Sequence, residues 1–138
     1  MIPSHYYQQY NFIDDKVIDD VSKNVGFTGN RIGNLVTALK NNRKHLKQSQ
    51  LLFFVQSIHT DYNRLKAIED TLQYLEKCSS ETISYILKEF DTNQNKRNAL
   101  EKLGPKVWHW ETDKQKEIIV NVFSSSSDKT KAKQILGL

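Results

Sequence analysis

The 138-residue chain contains a single cysteine, Cys78, so no disulfide can form within it, and a reducing, cytoplasmic setting is expected. No apolar stretch approaches the roughly 18 residues that a membrane-spanning helix needs. The leading segment MIPSHYYQQYNF has no basic region followed by an apolar run, so it does not read as a secretory signal. The excess of one charge over the other is also small. The net charge of +4 permits an acidic partner without demanding one.

The usual chemical motifs are missing as well. The four histidines, His5, His45, His59 and His109, lie far apart, and neither HExxH nor CxxC occurs. Gly26, Gly29 and Gly33 match neither GxxxxGK[ST] nor GxGxxG, which excludes the common phosphate loops. There is no GxSxG elbow. Asp14, Asp15, Asp19 and Asp20 lack the EF-hand spacing and its terminal glutamate. Asp14 and Asp15 fit a helix start, where acids favour the dipole. Lys77 beside Cys78 would lower the thiol's pKa slightly, but an unreactive thiol at a helix end is the simpler reading. No catalytic residue, cofactor or metal ligand is assigned, and the expectation is a non-enzyme.

What the sequence does contain is a period. Val25, Ile58, Phe90 and Phe123 are apolar anchors spaced by 33, 32 and 33 residues. Such a period marks stacked supersecondary units. Four residues before each anchor come Val21, Phe54, Ile86 and Ile119, on the same helix face. Five residues after each come Asn30, Asn63, Asn95 and Asp128, good N-cap types. A basic residue follows each cap: Arg31, Arg64, Lys96 and Lys129. Four residues past the cap stand Asn34, Ala67, Ala99 and Ala132, of which the alanines allow close helix approach.

Each unit therefore reads as helix, polar turn, capped helix. First helices are expected near 14–25, 49–58, 80–90 and 113–123, with caps at Asp14 or Asp15, Gln48 or Ser49, Ser79 or Ser80, and Thr112 or Asp113. Second helices are expected near 30–43, 63–76, 95–103 and 128–136. Ser124–Ser127 is expected to be a turn. Gly104-Pro105 reads as a helix stop. The fold class is all-α: four antiparallel helix pairs forming a short α-solenoid or compact stack. A lead or cap over 1–12 carries Tyr6, Tyr7, Tyr10 and Phe12. One domain over 13–138 divides into units of about 13–47, 48–78, 79–111 and 112–138. A tetratricopeptide array has a similar period, but its aromatic and Gly-Tyr signature is absent.

From Phe90 to Leu138 the elements F…NKR-N-AL..LGPKV and VFSSSSDK-T-KA..IL resemble the family called domain of unknown function 4476, found in bacterial and protist proteins. A weaker echo spans Ser49–Leu75. Glu111 or Asp113 stands nearest the family's acidic residue after its Pro-x-Val element. The resemblance implies a helical repeat domain and no established activity, so it carries no catalytic residue over.

Three features are candidate partner-binding sites. The basic position Arg31, Arg64, Lys96, Lys129 would line one edge if the units stack in register. Its structural explanation is packing of each stem, with each head meeting a carboxylate or helix-end carbonyls. Arg43, Lys44 and Lys47 belong to a basic run between the first two units, which also suits a solvated helix end. Trp108 and Trp110 flank His109 in the last long connection; tryptophan is a favoured binding anchor, and also a core residue. The expected function is a non-enzymatic interaction module, a scaffold or adaptor, whose partner is another protein. Nucleic-acid or acidic-ligand binding through basic faces is the alternative, weakened by the lack of interleaved aromatics.

Overall fold

The computed structural model describes residues 11–23 and 28–138. Within them the chain is all-helical. Eight α-helices follow in order: α1 (Asp15–Lys23), α2 (Thr28–Asn41), α3 (Gln48–Gln56), α4 (Asp61–Thr71), α5 (Ser80–Lys88), α6 (Asn93–Leu103), α7 (Asp113–Val120) and α8 (Ser126–Leu136). Short 3-10 turns, Leu72–Tyr74 and Gly104–Lys106, extend α4 and α6. Among the described residues no strand forms; the backbone makes only isolated bridges.

Helices meet in a regular order. Each odd helix packs on the even helix that follows it, odd helices pack on the next odd ones, and even on even. The core runs between the two rows. Ile58, Phe90 and Phe123 are buried, as are Phe54, Ile86 and Ile119 four residues before them. Ala67, Ala99 and Ala132 are wholly buried, where a larger side chain would hold neighbouring helices apart. Their counterpart Asn34 is exposed, and Val25 lies outside the described residues. So do Tyr6, Tyr7 and Tyr10 of the lead; Phe12 is described and bridges to His45.

The even helices begin two residues earlier than the sequence suggests, at 28, 61, 93 and 126. The physical reason is which side chain caps them. The hydroxyls of Thr60, Thr92 and Ser125 accept from the backbone N–H of Asn63, Asn95 and Asp128 at 3.3, 3.1 and 3.1 Å. The Asn and Asp residues thus occupy the third helical position and are not the caps. Ser126 and Ser127 belong to α8, so the serine run is half turn, half helix. For the odd helices Ser79 and Thr112 are caps as expected, and Thr112 forms a reciprocal box with Gln115. The α3 cap falls one residue early, at Lys47, whose N–H donates to Gln50 Oε1 at 2.9 Å.

Two glycines matter for different reasons. Gly137 has φ 73°, and Leu138 N donates back to Lys133 O at 2.8 Å, closing α8 with a left-handed glycine. Gly104 keeps ordinary helical angles at the end of α6. It is required by space: a Cβ there would sit 2.8 Å from Ile135 Cγ2 of α8.

Polar ties join successive pairs at both edges. On the connector edge, Leu46 exchanges bonds with Tyr74 O and Glu76 N, and Cys78 with Lys106 O and Trp108 N. The same connectors send carboxylates backward. Glu76 accepts from Gln48 N at the start of α3 at 2.9 Å, and Glu111 from Ser80 N at the start of α5 at 2.6 Å. Each carboxylate meets the positive end of a helix dipole in the preceding pair. On the opposite edge, Asp61 accepts from Arg64, from Asp91 N and Thr92 N, and from Asn95 Nδ2. Arg97 pairs with Asp128 at 3.0 Å, tying α6 to α8.

Candidate interaction surface

The recurrent basic residues face helix ends. Arg31 is 7% exposed and donates to Ser22 O of α1 at 3.0 Å and to Ser57 Oγ beyond α3 at 3.3 Å. Arg64, 9% exposed, donates to Ile58 O at 3.0 Å and to Asp61 at 2.8 Å. Lys96 reaches Phe90 O at 2.6 Å, and Lys129 reaches Asn121 Oδ1 at 3.4 Å. These contacts support the packing explanation. Cations at the C-terminal carbonyls of the odd helices offset their dipoles.

The other two candidate features are also engaged within the chain. Arg43 is exposed but sits at φ 51°, ending α2 in the left-handed region, and Lys44 Nζ donates to Asn11 Oδ1 at 2.9 Å. Lys47 Nζ lies 5.4 Å from the centre of the Phe12 ring. Trp108 is buried and stacks on Trp110 at 5.0 Å, with His109 edge-on to Trp110 at 4.9 Å. The structure brings the two tryptophans together.

Sequence reasoning missed a different row. Phe53, Tyr85 and Ile118 are 45%, 47% and 45% exposed, far more than the core residues beside them. Each stands one position before a buried residue of the anchor pattern: Phe54, Ile86 and Ile119. They occupy the same place on α3, α5 and α7, which pack side by side. Their outward neighbours at i−4 and i+3 are Ser49 and Gln56, Glu81 and Lys88, Lys114 and Asn121, all exposed. On α1 the corresponding residue is Asp20, where the apolar row stops. A groove of about 490 Å³ between α1 and α3 runs past Phe53, and one of about 180 Å³ between α5 and α7 runs past Ile118. The signal was available in the 33-residue period, one register before the core position.

Chemically this face offers apolar contact with a polar border. Among the described residues, no group of three His, Cys, Asp or Glu side chains converges as a metal would need. Cys78 is wholly buried; burial, with Glu76 adding to it, pushes its thiol pKa well up despite Lys77 and Lys106. That disfavours the reactive thiolate. Burial lowers the His45 pKa, with Lys106 acting in the same direction. Among the described residues no helix is long and apolar enough to cross a membrane.

The model of a family described as a domain of unknown function, DUF4476, matches residues 46–136. The chain belongs to the DUF4476 family. No curated protein and no solved structure gives a match. The DUF4476 match covers α3 to α8, so it takes in all three residues of the apolar row. It also contains both connector carboxylates, Glu76 and Glu111. Of the two acids near the Pro-x-Val element, Glu111 is the one that accepts from Ser80 N.

Proposed function

We propose that this DUF4476 chain is a non-enzymatic helical-repeat module that binds protein through the outer face of α3, α5 and α7. In this reading it is a short α-solenoid of four units, acting as a scaffold or adaptor in a reducing compartment such as the cytoplasm. One observation carries the proposal: three neighbouring helices of the odd row, α3, α5 and α7, expose an apolar side chain at the same position. An isolated exposed apolar residue, such as Tyr62, needs no explanation. A row in register, bordered by polar residues and flanked by grooves, is what a contact surface requires.

The test replaces Phe53, Tyr85 and Ile118 with serine together. Because all three side chains are about half exposed, circular dichroism should show the triple variant still helical and cooperatively folded at the assay temperature, while recovery of partners from the native cell should be lost. Recovery of the same partners at the same yield would refute the assignment of this face. The basic positions support the nucleic-acid alternative less, since Arg31 and Arg64 are buried against helix ends.

A further inference from the structure

We infer that the recess between the start of α5 and α7 receives a glutamine side chain of the partner protein, held by its neutral carboxamide. This rests on the reading that the outer face of α3, α5 and α7 is a contact surface, and it names what the partner inserts there. The recess, about 180 Å³, is lined by Ile118 of the apolar row and by Ser80, Glu81, Trp108, Glu111 and Gln115. It is several times the roughly 30 Å³ share of one water molecule. Two of these residues are buried, Ser80 at 1% and Trp108 at 6% exposed. Ser80 Oγ and Trp108 Nε1 have no hydrogen-bond partner among the described residues. Buried polar atoms left unpaired are costly, so the pair points to a group that the chain itself does not supply.

The preceding joint shows what such a group is like. Gln48 and Ser80 are the first residues of α3 and α5. Each backbone N–H donates to a connector carboxylate, Glu76 at 2.9 Å and Glu111 at 2.6 Å. Gln48 also reaches the next odd helix with its carboxamide: Oε1 accepts from Ser79 N at 2.8 Å and from Ser79 Oγ at 3.2 Å. Ser80 is too short to do the same. Gln115 instead meets the cap N–H of Thr112, at 2.7 Å, and the volume beside Ser80 stays open.

Charge and hydrogen bonding select a neutral group with both a donor and an acceptor. Glu111 already brings a negative charge to the start of α5, and Glu81 adds another, so an anion is disfavoured. A cation offers no acceptor to the Trp108 N–H. A carboxamide meets both needs. Its oxygen accepts from Trp108 Nε1, and its NH2 donates to Ser80 Oγ and to the second oxygen of Glu111. The methylenes behind it pack on Ile118.

The test follows the indole N–H resonances of the full chain by NMR, with Trp110→Phe to assign the Trp108 signal. Propionamide, the amide end of a glutamine side chain, is added up to about 0.2 M, well above the half-saturation on the order of 10 mM expected for so small a probe. The Trp108 signal should shift saturably, and propionate at the same concentrations should leave it in place. Ser80→Ala should weaken the response about fivefold by removing one hydrogen bond. Ser80→Gln should abolish it by filling the recess with the chain's own carboxamide, and should lower partner recovery from the native cell. Circular dichroism confirms that each variant is folded. No saturable shift would mean that ordered water satisfies the pair and would overturn the inference. An equal response to propionate, a response undiminished in both Ser80 variants, or unchanged partner recovery with Ser80→Gln would overturn it as well. If any of these is found while serine replacement of Phe53, Tyr85 and Ile118 still abolishes recovery, this inference fails and the proposed function stands.

Discussion

Moving the caps back by three residues has a measurable consequence. If Ser125 caps α8, Ser125→Ala removes the acceptor for Asp128 N and also the hydroxyl donor to Asp128 Oδ2, which lies at 2.8 Å. A lost cap costs about 1 kcal/mol. The second bond goes to a carboxylate that is 9% exposed and already paired with Arg97, so its loss adds about another 1 kcal/mol. The sum, about 2 kcal/mol, corresponds to a fall of roughly 6–8 °C in melting temperature for a domain of this size. Ser125→Thr should retain most of the stability.

Asn63 is the contrasting position. It lies in the first turn of α4, and among the described residues its side chain makes no hydrogen bond; only its backbone N–H is capped, by Thr60. Asn63→Ala should therefore stay within about 0.5 kcal/mol of the parent. Thr60→Ala should cost about 1 kcal/mol. Thermal or urea unfolding followed by circular dichroism measures all four variants. If Asn63→Ala costs as much as Thr60→Ala, or Ser125→Ala costs nothing, the caps have been assigned to the wrong side chains.

Two further outcomes follow from the ties between pairs. Burial pushes the Asp61 carboxyl up, but hydrogen bonds from Asp91 N, Asn95, Arg64 and Thr92 N together hold its pKa below the usual carboxylate range. A depressed folded pKa stabilises the protein above the unfolded value of about 3.9 and ceases to do so as pH falls through the folded value. Asp61→Asn should cost about 2 kcal/mol at neutral pH, with the gap to the parent shrinking below about pH 4; a gap constant down to acid unfolding would contradict this. Gly104→Ala should destabilise by about 1–3 kcal/mol through the Ile135 clash, and combining it with Ile135→Ala should be strongly non-additive. Stabilisation by Gly104→Ala, as helix propensity alone predicts, would mean that α6 and α8 are not so close.

The period was legible because burial repeats with it. Phe54, Ile86 and Ile119 are invisible to solvent, and a position that must be apolar in every unit stands out in a single sequence. The caps were ambiguous for a chemical reason. Thr60, Thr92 and Ser125 recur with the same spacing as Asn63, Asn95 and Asp128, and both sets are good capping types. Only the backbone N–H that each side chain meets decides between them. The apolar row was hidden by adjacency, since Phe53-Phe54 and Ile118-Ile119 read as doubled core residues until one of each pair is seen to face outward. Glu76 could not be read at all. It acts on Gln48, 28 residues earlier in the chain, and no local pattern records that contact.

The basic position shows how a local cost is offset by a neighbouring helix. A cation in the first turn of an even helix opposes that helix's own dipole, by about 0.3–1 kcal/mol. The turn that joins each pair is short, so the start of the even helix lies beside the end of the odd one. Arg64 and Lys96 therefore reach the carbonyls of Ile58 and Phe90, just past α3 and α5, and Lys129 reaches Asn121, which closes α7. At those ends a cation is favourable by a similar amount, and a charged donor to a carbonyl adds more. Arg31 goes further and touches the ends of both α1 and α3. The recurrent basic position is thus engaged at the joints between helices, whereas Phe53, Tyr85 and Ile118 on α3, α5 and α7 stay about half exposed.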